Sequence, residues 1–151
     1  MSPLKILFIN GPNLNLLGLR EPEIYGNQTY KQLVSFITSE CNRLGIMPKI
    51  CQHNCEGAII DAIQSVIVNN FADAIIINPA AYTHTSIAIM DALKAVAKPA
   101  VEVHLSDISK REDFRQISYA GLACIKTFAG EGFNSYSNAI NFLADYFRKS
   151  P

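Results

Sequence analysis

Two pairs of residues have the types and the spacing for acid–base chemistry. Arg20 lies five residues before Tyr25, and a guanidinium beside a phenol stabilises the phenolate, which is a base. Glu102 lies two residues before His104, so on a strand both side chains point to the same face. The carboxylate can then fix the imidazole tautomer or hold it protonated. We therefore interpret His104 as a catalytic rather than a structural histidine.

The first pair belongs to a segment with the composition of a mobile lid. Gly18 and Gly26 bracket it and Pro22 stiffens its middle. On composition alone a plain surface Ω-loop is an equally good interpretation. Buried amides need partners, so the three asparagines before this segment are expected to face a ligand or each other. They are Asn10, Asn13 and Asn15.

Short apolar runs alternate with amphipathic segments of helical length along the whole chain. This alternation predicts a parallel sheet covered by helices on both faces. We expect one catalytic domain over residues 1–151, an α/β flavodoxin-like three-layer sandwich with strand order 2-1-3-4-5. The predicted strands are 4–9, 46–52, 74–77, 100–104 and 122–128. The predicted helices are 29–44, 57–71, 85–96, 112–119 and 134–148.

The polar clusters of the sequence all follow predicted strands. Residues 10–25 follow strand 1, 54–57 follow strand 2, and 78–86 follow strand 3. Residues 102–106 end strand 4, and Arg115 comes shortly afterwards. In open parallel sheets a ligand lies outside the carboxyl ends of the strands, near the switch point between strands 1 and 3. The convergence of these clusters predicts a site at that edge.

Composition and charge argue against several classes of function. The formal net charge is zero, which gives no electrostatic reason to expect nucleic acid or a membrane surface as partner. No apolar run is long enough to span a bilayer, and residues 1–5 lack the layout of a signal peptide, so we expect a cytoplasmic protein. The cysteine spacing and the glycine pattern predict neither a metal site nor a cofactor. The cysteines are Cys41, Cys51, Cys55 and Cys124.

Five ordered motifs lie between about Lys5 and Arg115. They read I-N-G-P-N-L-N-L-L-G-L-R-E-P-E-I-Y-G, N-C-E-G, I-N-P-A-A-Y-T-H-T-S, V-E-V-H-L-S and R-E-D-F-R. They closely resemble the motifs of the type II 3-dehydroquinate dehydratases, lyases of the shikimate and quinate pathways that use no cofactor. The resemblance implies dehydration of 3-dehydroquinate to 3-dehydroshikimate through an enolate, a step toward chorismate and the aromatic amino acids.

The resemblance also implies a role for each matching residue. Tyr25 would take the C2 proton, and Arg20 would favour its ionised form. His104, oriented by Glu102, would protonate the departing C1 hydroxyl, while Asn13 would position a water or amide dipole at the enolate oxygen. A homododecamer, a tetramer of trimers, is expected because one substrate contact would come from a neighbouring subunit. The substrate-binding residues would be Asn78, His84, Leu105, Ser106, Arg115 and the neighbour's Asp91.

Three positions depart from the family pattern, and two alternatives stay open. His53 and Cys55 stand where relatives often carry Ser and His, and Asp107 stands where Asn is frequent. We expect altered packing from the first two and slightly weaker binding of an anionic substrate from the third. One alternative is Schiff-base dehydration through a desolvated lysine, for which Lys126 is the one notable candidate. The other is a non-enzymatic flavodoxin-like module that binds a small ligand.

Overall fold

A five-stranded parallel sheet in the order β2-β1-β3-β4-β5 forms the centre of the protein. The structure is a computed structural model that describes residues 2–150, apart from the side chain of Tyr25. The strands are β1 (Lys5–Asn10), β2 (Met47–Gln52), β3 (Ala74–Asn78), β4 (Ala100–Val103) and β5 (Lys126–Phe128). The helices are α1 (Pro22–Tyr25), α2 (Tyr30–Arg43), α3 (Glu56–Val68), α4 (Ile87–Val96) and α5 (Asn134–Lys149). The predicted strand order is confirmed.

Helices cover both faces of this sheet, as predicted. Along β1, Ile6 and Phe8 join the core beneath α2 and α5, whereas Leu7 and Ile9 join the core beneath α3 and α4. Every residue of β3 is buried, because a central parallel strand is covered on both sides. This alternation also fixes which face each polar residue at a strand end must occupy.

Side-chain caps set the start of the helices that follow β1 and β3. The Thr29 hydroxyl accepts from the Gln32 amide, and the Gln32 side chain accepts from the Thr29 amide, which is a capping box. The Ser86 hydroxyl accepts from the Ile89 amide at 2.9 Å. The loops before α2 and α4 therefore end at defined points, and both loops contribute residues to the carboxyl edge of the sheet.

The helix predicted over residues 112–119 is wrong in extent. Only one 3-10 turn forms there, at Asp113–Arg115. The Gln116 side-chain amide donates to the carbonyls of Arg111 and Glu112, so those carbonyls are satisfied without a continuing helix.

The strand predicted over residues 122–128 is also shorter than expected. A 3-10 turn at Ala120–Ala123 takes its first part, and only Lys126–Phe128 pairs with β4. The Ser118 hydroxyl accepts from the Gly121 amide at 2.9 Å and so caps this turn. No helix within residues 2–150 has the length and hydropathy needed to cross a membrane.

Candidate active site

A cavity of about 120 Å³ opens at the carboxyl edge of β1, β3 and β4. Four of the five predicted polar clusters contribute residues to its lining, and the cluster at residues 54–57 does not. Glu102 lies behind His104 rather than in the cavity wall. The lining includes the sequence-predicted residues Asn13, Arg20, Asn78, His84, His104, Leu105, Ser106 and Arg115.

Close approach of two loops creates this opening. β1 and β3 are neighbours, and the amide of Gly11 donates to the carbonyl of Asn78 at 2.8 Å. A β-carbon on Gly11 would lie 2.6 Å from the carbonyl oxygen of Pro79, so only glycine lets the loops pass this closely. Beyond this contact the loop after β1 and the loop after β3 diverge at the switch point of the sheet.

A strained backbone holds Asn13 at the cavity wall. Asn13 has φ 70°, in the left-handed region, which asparagine tolerates better than most residues. Its amide donates to Oδ1 of Asn54 at 3.1 Å, and the Gln52 side chain donates to the same oxygen at 3.0 Å. The Asn54 residue of the N-C-E-G motif therefore supports Asn13 from the loop after β2.

His104 and Glu102 form a buried pair at the end of β4. Nε2 of His104 lies 2.9 Å from Oε2 of Glu102, and the two side chains are 6% and 1% exposed. The ring N–H does not point along this line, so the contact is a close approach rather than a directed hydrogen bond. The predicted pairing on one face is confirmed. It places a carboxylate directly behind the imidazole, where it stabilises the protonated ring.

Two hydroxyl groups hold the Glu102 carboxylate in place. Thr127 donates to Oε1 at 2.8 Å, and Ser118 donates to Oε2. Burial alone raises the pKa of Glu102, but the contacts with His104, Ser118 and Thr127 together lower it below its ordinary value. The carboxylate therefore stays ionised. Sequence reasoning missed these hydroxyls as site residues, since neither pattern nor spacing connects them to Glu102.

His84 is a neutral histidine with one nitrogen committed to the backbone. Its Nδ1 donates to the carbonyl of Ile117 at 2.8 Å. Desolvation lowers the pKa of His84, helped by the positive charges of Arg115 and His104 and opposed by the Ile117 carbonyl. The neutral ring then keeps Nε2 as an acceptor, which suits a substrate hydroxyl.

Guanidinium groups give the cavity an anion-binding character. Arg20, Arg111 and Arg115 all line it, and arginine is the residue best suited to a planar carboxylate. The side chain of Arg115 donates through Nε to Glu112 and lies 5.3 Å from the Phe114 ring centroid. Arg111 begins the R-E-D-F-R motif, but the sequence alone predicts no role for it. Its position in the cavity wall is seen only in the structure.

The segment between Gly18 and Gly26 is a mostly exposed loop at the carboxyl edge of the sheet, and its Arg20 lines the cavity. It contains the single turn of α1, flanked by positive φ at Glu21 and Gly26. Nη2 of Arg20 lies 2.9 Å from Oε2 of Glu21. The side chain of Tyr25, the predicted base, lies outside the described part of the structure.

Two further predictions concern residues away from the cavity. Asp91 is exposed on α4 and does not line the cavity of its own chain. Lys126 is the exposed first residue of β5, and no lysine lines the cavity in the described structure. Within residues 2–150, no three or more His, Cys, Asp or Glu side chains cluster closely enough to hold a metal ion.

Comparison with known proteins assigns the chain to a family. Residues 4–144 match the family described as Dehydroquinase class II. The chain is 48% identical to the 3-dehydroquinate dehydratase of Clostridium acetobutylicum over 146 residues, 97% of this chain and 100% of the relative. It is 49% identical to that of Carboxydothermus hydrogenoformans over 146 residues, 97% of this chain and 94% of the relative.

Solved structures agree with this assignment. The type II dehydroquinase from Butyrivibrio crossotus superposes with a TM-score of 0.92 at 48% identity, covering 95% of this chain and 99% of that one. The type II dehydroquinase from Propionibacterium acnes gives a TM-score of 0.88 at 37% identity, covering 95% and 99%. With this family match and this fold, and with four of the five predicted motifs lining one cavity, the chain belongs to the class II dehydroquinase family.

Proposed function

We propose that this chain is a type II 3-dehydroquinate dehydratase, a lyase that converts 3-dehydroquinate to 3-dehydroshikimate through an enolate. The observation that carries the proposal is the buried Glu102–His104 pair at the edge of an arginine-lined cavity. An acid next to an anion-binding wall suits loss of a hydroxyl from a carboxylated ring. No observation favours the alternative of a non-enzymatic binding module.

Tyr25 is the proposed base that removes the C2 proton, with the Arg20 guanidinium favouring the phenolate. Bringing a phenol from a pKa of about 10 to about 7 requires roughly 4 kcal/mol, at about 1.36 kcal/mol per unit. One positive charge at about 4 Å supplies roughly that much at an effective dielectric constant of about 20. Because Arg20 lines the cavity, closure of the lid would bring the phenol and the guanidinium to the substrate together.

His104 is the proposed acid that protonates the departing C1 hydroxyl. The ionised carboxylate of Glu102 lies behind the ring and stabilises the imidazolium before transfer. After transfer the Glu102 carboxylate still lies behind the ring, where it favours protonation of the ring for the next turnover. Asn13, fixed at the cavity wall by Asn54, would position a water or its own amide dipole at the enolate oxygen.

The remaining polar groups of the cavity would bind the substrate. Arg115 and the backbone amides of Leu105 and Ser106 suit its carboxylate. The neutral His84 can accept a hydrogen bond from a ring hydroxyl, and Asn78 can donate one. Every one of these residues lines the cavity.

A homododecamer, built as a tetramer of trimers, is part of the same proposal, with Asp91 contributing to a neighbour's site. Asp91 is exposed on α4, where Ile87 is also 52% exposed. The 120–123 turn packs against α4, and Leu122 in it is 69% exposed. Exposed apolar side chains on α4 and on the turn packed against it suit contact with a second copy of the chain. Static light scattering on the purified protein would test the assembly.

The proposal also includes a cytoplasmic location. All four cysteines lie within the described residues, and all four are free thiols, which fits a reducing compartment. Cell fractionation that recovered the activity outside the cytoplasm would contradict this part of the proposal.

The direct test of function is an absorbance assay for the conjugated enone product. Purified protein mixed with 3-dehydroquinate should produce the enone signal at the same rate with and without EDTA. Borohydride added during turnover should leave no covalent adduct on the protein, because no imine forms in the proposed mechanism. Absence of the enone signal would refute the proposed function, and a reduced lysine adduct would refute the mechanism.

A further inference from the structure

Tyr136 is a fully buried tyrosine whose hydroxyl joins the last residues of two strands. Its ring lies in the first half of α5 at 0% exposure. The hydroxyl donates to Oδ1 of Asn10 at 2.6 Å and accepts from Nδ2 of Asn78 at 3.1 Å. Asn10 in turn donates to the Tyr30 hydroxyl at 3.5 Å. The hydroxyl thus connects α5 with the ends of β1 and β3.

Sheet register explains why one hydroxyl can serve both asparagines. Asn10 and Asn78 are directly paired residues of neighbouring strands, so their side chains point to the same face. That face is the one covered by α5, where the surrounding core is apolar. Because buried amides without partners are costly, the hydroxyl from α5 between them supplies one partner to each amide.

The amide of Asn78 is fixed at both ends by the protein. Its Oδ1 accepts from the amide of Ala80 at 3.2 Å, and one of its two Nδ2 hydrogens goes to Tyr136. One hydrogen on Nδ2 remains, and Asn78 lines the cavity. The side chain therefore offers a hydrogen-bond donor to a ligand, while one of the two lone pairs of its oxygen already accepts from Ala80.

We propose that Tyr136 is a positioning residue that sets the orientation of the Asn78 side-chain amide. In this orientation Asn78 presents an N–H donor to the substrate, and it selects a ring oxygen that can accept a hydrogen bond. The proposal rests on the proposed function, which makes Asn78 a substrate contact. Asn10 completes the arrangement, since its Oδ1 accepts the hydrogen bond from the tyrosine O–H. The phenol oxygen is then left to accept a hydrogen bond from Asn78.

The donor and acceptor pattern of this network does not change with pH in the working range. Burial raises the pKa of Tyr136 well above its ordinary value, and the hydrogen bond from Asn78 offsets only part of this. The phenol therefore remains protonated and continues to donate to Asn10. Unlike the base proposed for catalysis, Tyr136 does not exchange protons with the substrate.

A double-mutant cycle tests whether Tyr136 acts through Asn78. Tyr136→Phe keeps the ring and removes the hydroxyl, and we expect KM for 3-dehydroquinate to rise about tenfold, as for loss of one well-oriented hydrogen bond. In the Asn78→Ala background the same substitution should change KM very little. Equal effects of Tyr136→Phe in both backgrounds would overturn the proposal. Tyr146→Phe, the same substitution at a half-exposed position of α5, is the matched control and should leave KM unchanged.

A second pair of variants keeps the proposal testable if Tyr136→Phe does not fold. Asn10→Ala removes the acceptor that holds the tyrosine O–H, so the phenol can turn its O–H toward Nδ2 of Asn78 and disturb the amide. We expect KM to rise in Asn10→Ala. Asn10→Asp keeps an acceptor at this position, so its KM should stay near the wild-type value. Should these also fail to fold, a crystal structure of the wild type with 3-dehydroshikimate decides. A ligand oxygen donating to Oδ1 of Asn78 would overturn the proposal.

Failure of this proposal is distinct from failure of the proposed function. Wild-type protein that neither binds nor turns over 3-dehydroquinate refutes the function itself. Wild-type protein that is active, but whose Tyr136 and Asn78 substitutions have independent effects, refutes only the positioning role.

Discussion

Gly121 lies directly against the carboxylate of Glu102. A β-carbon at position 121 would be 2.7 Å from Oε1 of Glu102 and 2.9 Å from Oγ of Ser118. Both distances are shorter than a van der Waals contact allows, so a larger residue would have to displace the carboxylate or the hydroxyl that holds it. The turn at Ala120–Ala123, which replaces the first part of a predicted strand, thereby fixes the partner of His104.

We expect Gly121→Ala to lower kcat by at least about tenfold with a smaller change in KM, because displaced Glu102 no longer stabilises the protonated His104. Steady-state kinetics with 3-dehydroquinate would measure both constants. Gly57→Ala is the control, since its nearest contact for a β-carbon is 3.9 Å and alanine favours the first turn of α3. Unchanged kcat in Gly121→Ala would show that the carboxylate position does not limit turnover.

Glu102 should also make stability depend on pH. Its pKa is lower in the folded protein than its ordinary value of 4.5, so the unfolded chain takes up the proton first as the pH falls. The stabilisation by Glu102 is complete above the unfolded pKa and is lost as the pH falls through the folded pKa. We expect the difference in unfolding free energy between wild type and Glu102→Gln to shrink as the pH falls.

Urea unfolding of both proteins at a series of pH values from about 7 down to about 3.5 would measure this difference. A difference that stays constant across the series would mean that the Glu102 carboxylate has the same pKa in the folded and unfolded chains.

Tyr25→Phe should abolish turnover while leaving ligand binding nearly intact. Removing a general base lowers rates by about 10²–10⁴-fold, whereas phenylalanine keeps an aromatic ring of the same size. Single-turnover assays would measure the chemical step, and calorimetric titration with 3-dehydroshikimate would measure binding. Arg20→Ala should behave similarly, because it removes the charge that favours the phenolate. Normal turnover in Tyr25→Phe would eliminate Tyr25 as the base.

Arg115→Ala should mainly weaken substrate binding. Loss of a charge-assisted hydrogen bond of about 1.5–3 kcal/mol corresponds to an increase in KM of about 10–150-fold. Arg148→Ala is a suitable control, because Arg148 is exposed near the end of α5 and pairs with Asp145. A drop in kcat with unchanged KM would instead give Arg115 a role in the transition state.

Subunit complementation would test the role proposed for Asp91. Asp91→Ala and Tyr25→Phe should each be inactive alone. When the two variants are unfolded, mixed and refolded together, some sites should combine an intact Tyr25 with an intact Asp91 from the neighbour, and activity should return in part. Recovery should be absent when each variant is refolded separately. No recovery in the mixture would place Asp91 in the site of its own chain or outside any site.

The sheet order could be predicted because each long strand of this fold has a simple signal. The near-continuous apolar runs of β1 and β3 reflect burial on both faces over several residues, which composition records directly. The segment near residues 122–128 is apolar for another reason. Leu122 and Ile125 are exposed in the structure, so their hydrophobicity does not mark a buried strand.

The residues around the cavity could be predicted because they follow strands in sequence. The side chains that hold them in place by hydrogen bonds could not be predicted. Ser118 and Thr127 reach Glu102 from 16 and 25 residues away. Tyr136 is 126 residues from Asn10, and its helical spacing resembles that of any core aromatic residue. Hydrogen bonds between distant segments leave no periodic pattern, so only the folded structure reveals them.

The hydrogen bonds from α5 to the ends of β1 and β3 have a consequence for truncated chains. Every residue proposed to touch the substrate precedes Asn134, where α5 begins. A chain that stopped there would contain the whole set, but Asn10 and Asn78 would face solvent or each other instead of the Tyr136 hydroxyl. We therefore expect the protein to become catalytically competent only when the final helix docks, however early in synthesis the reactive groups emerge.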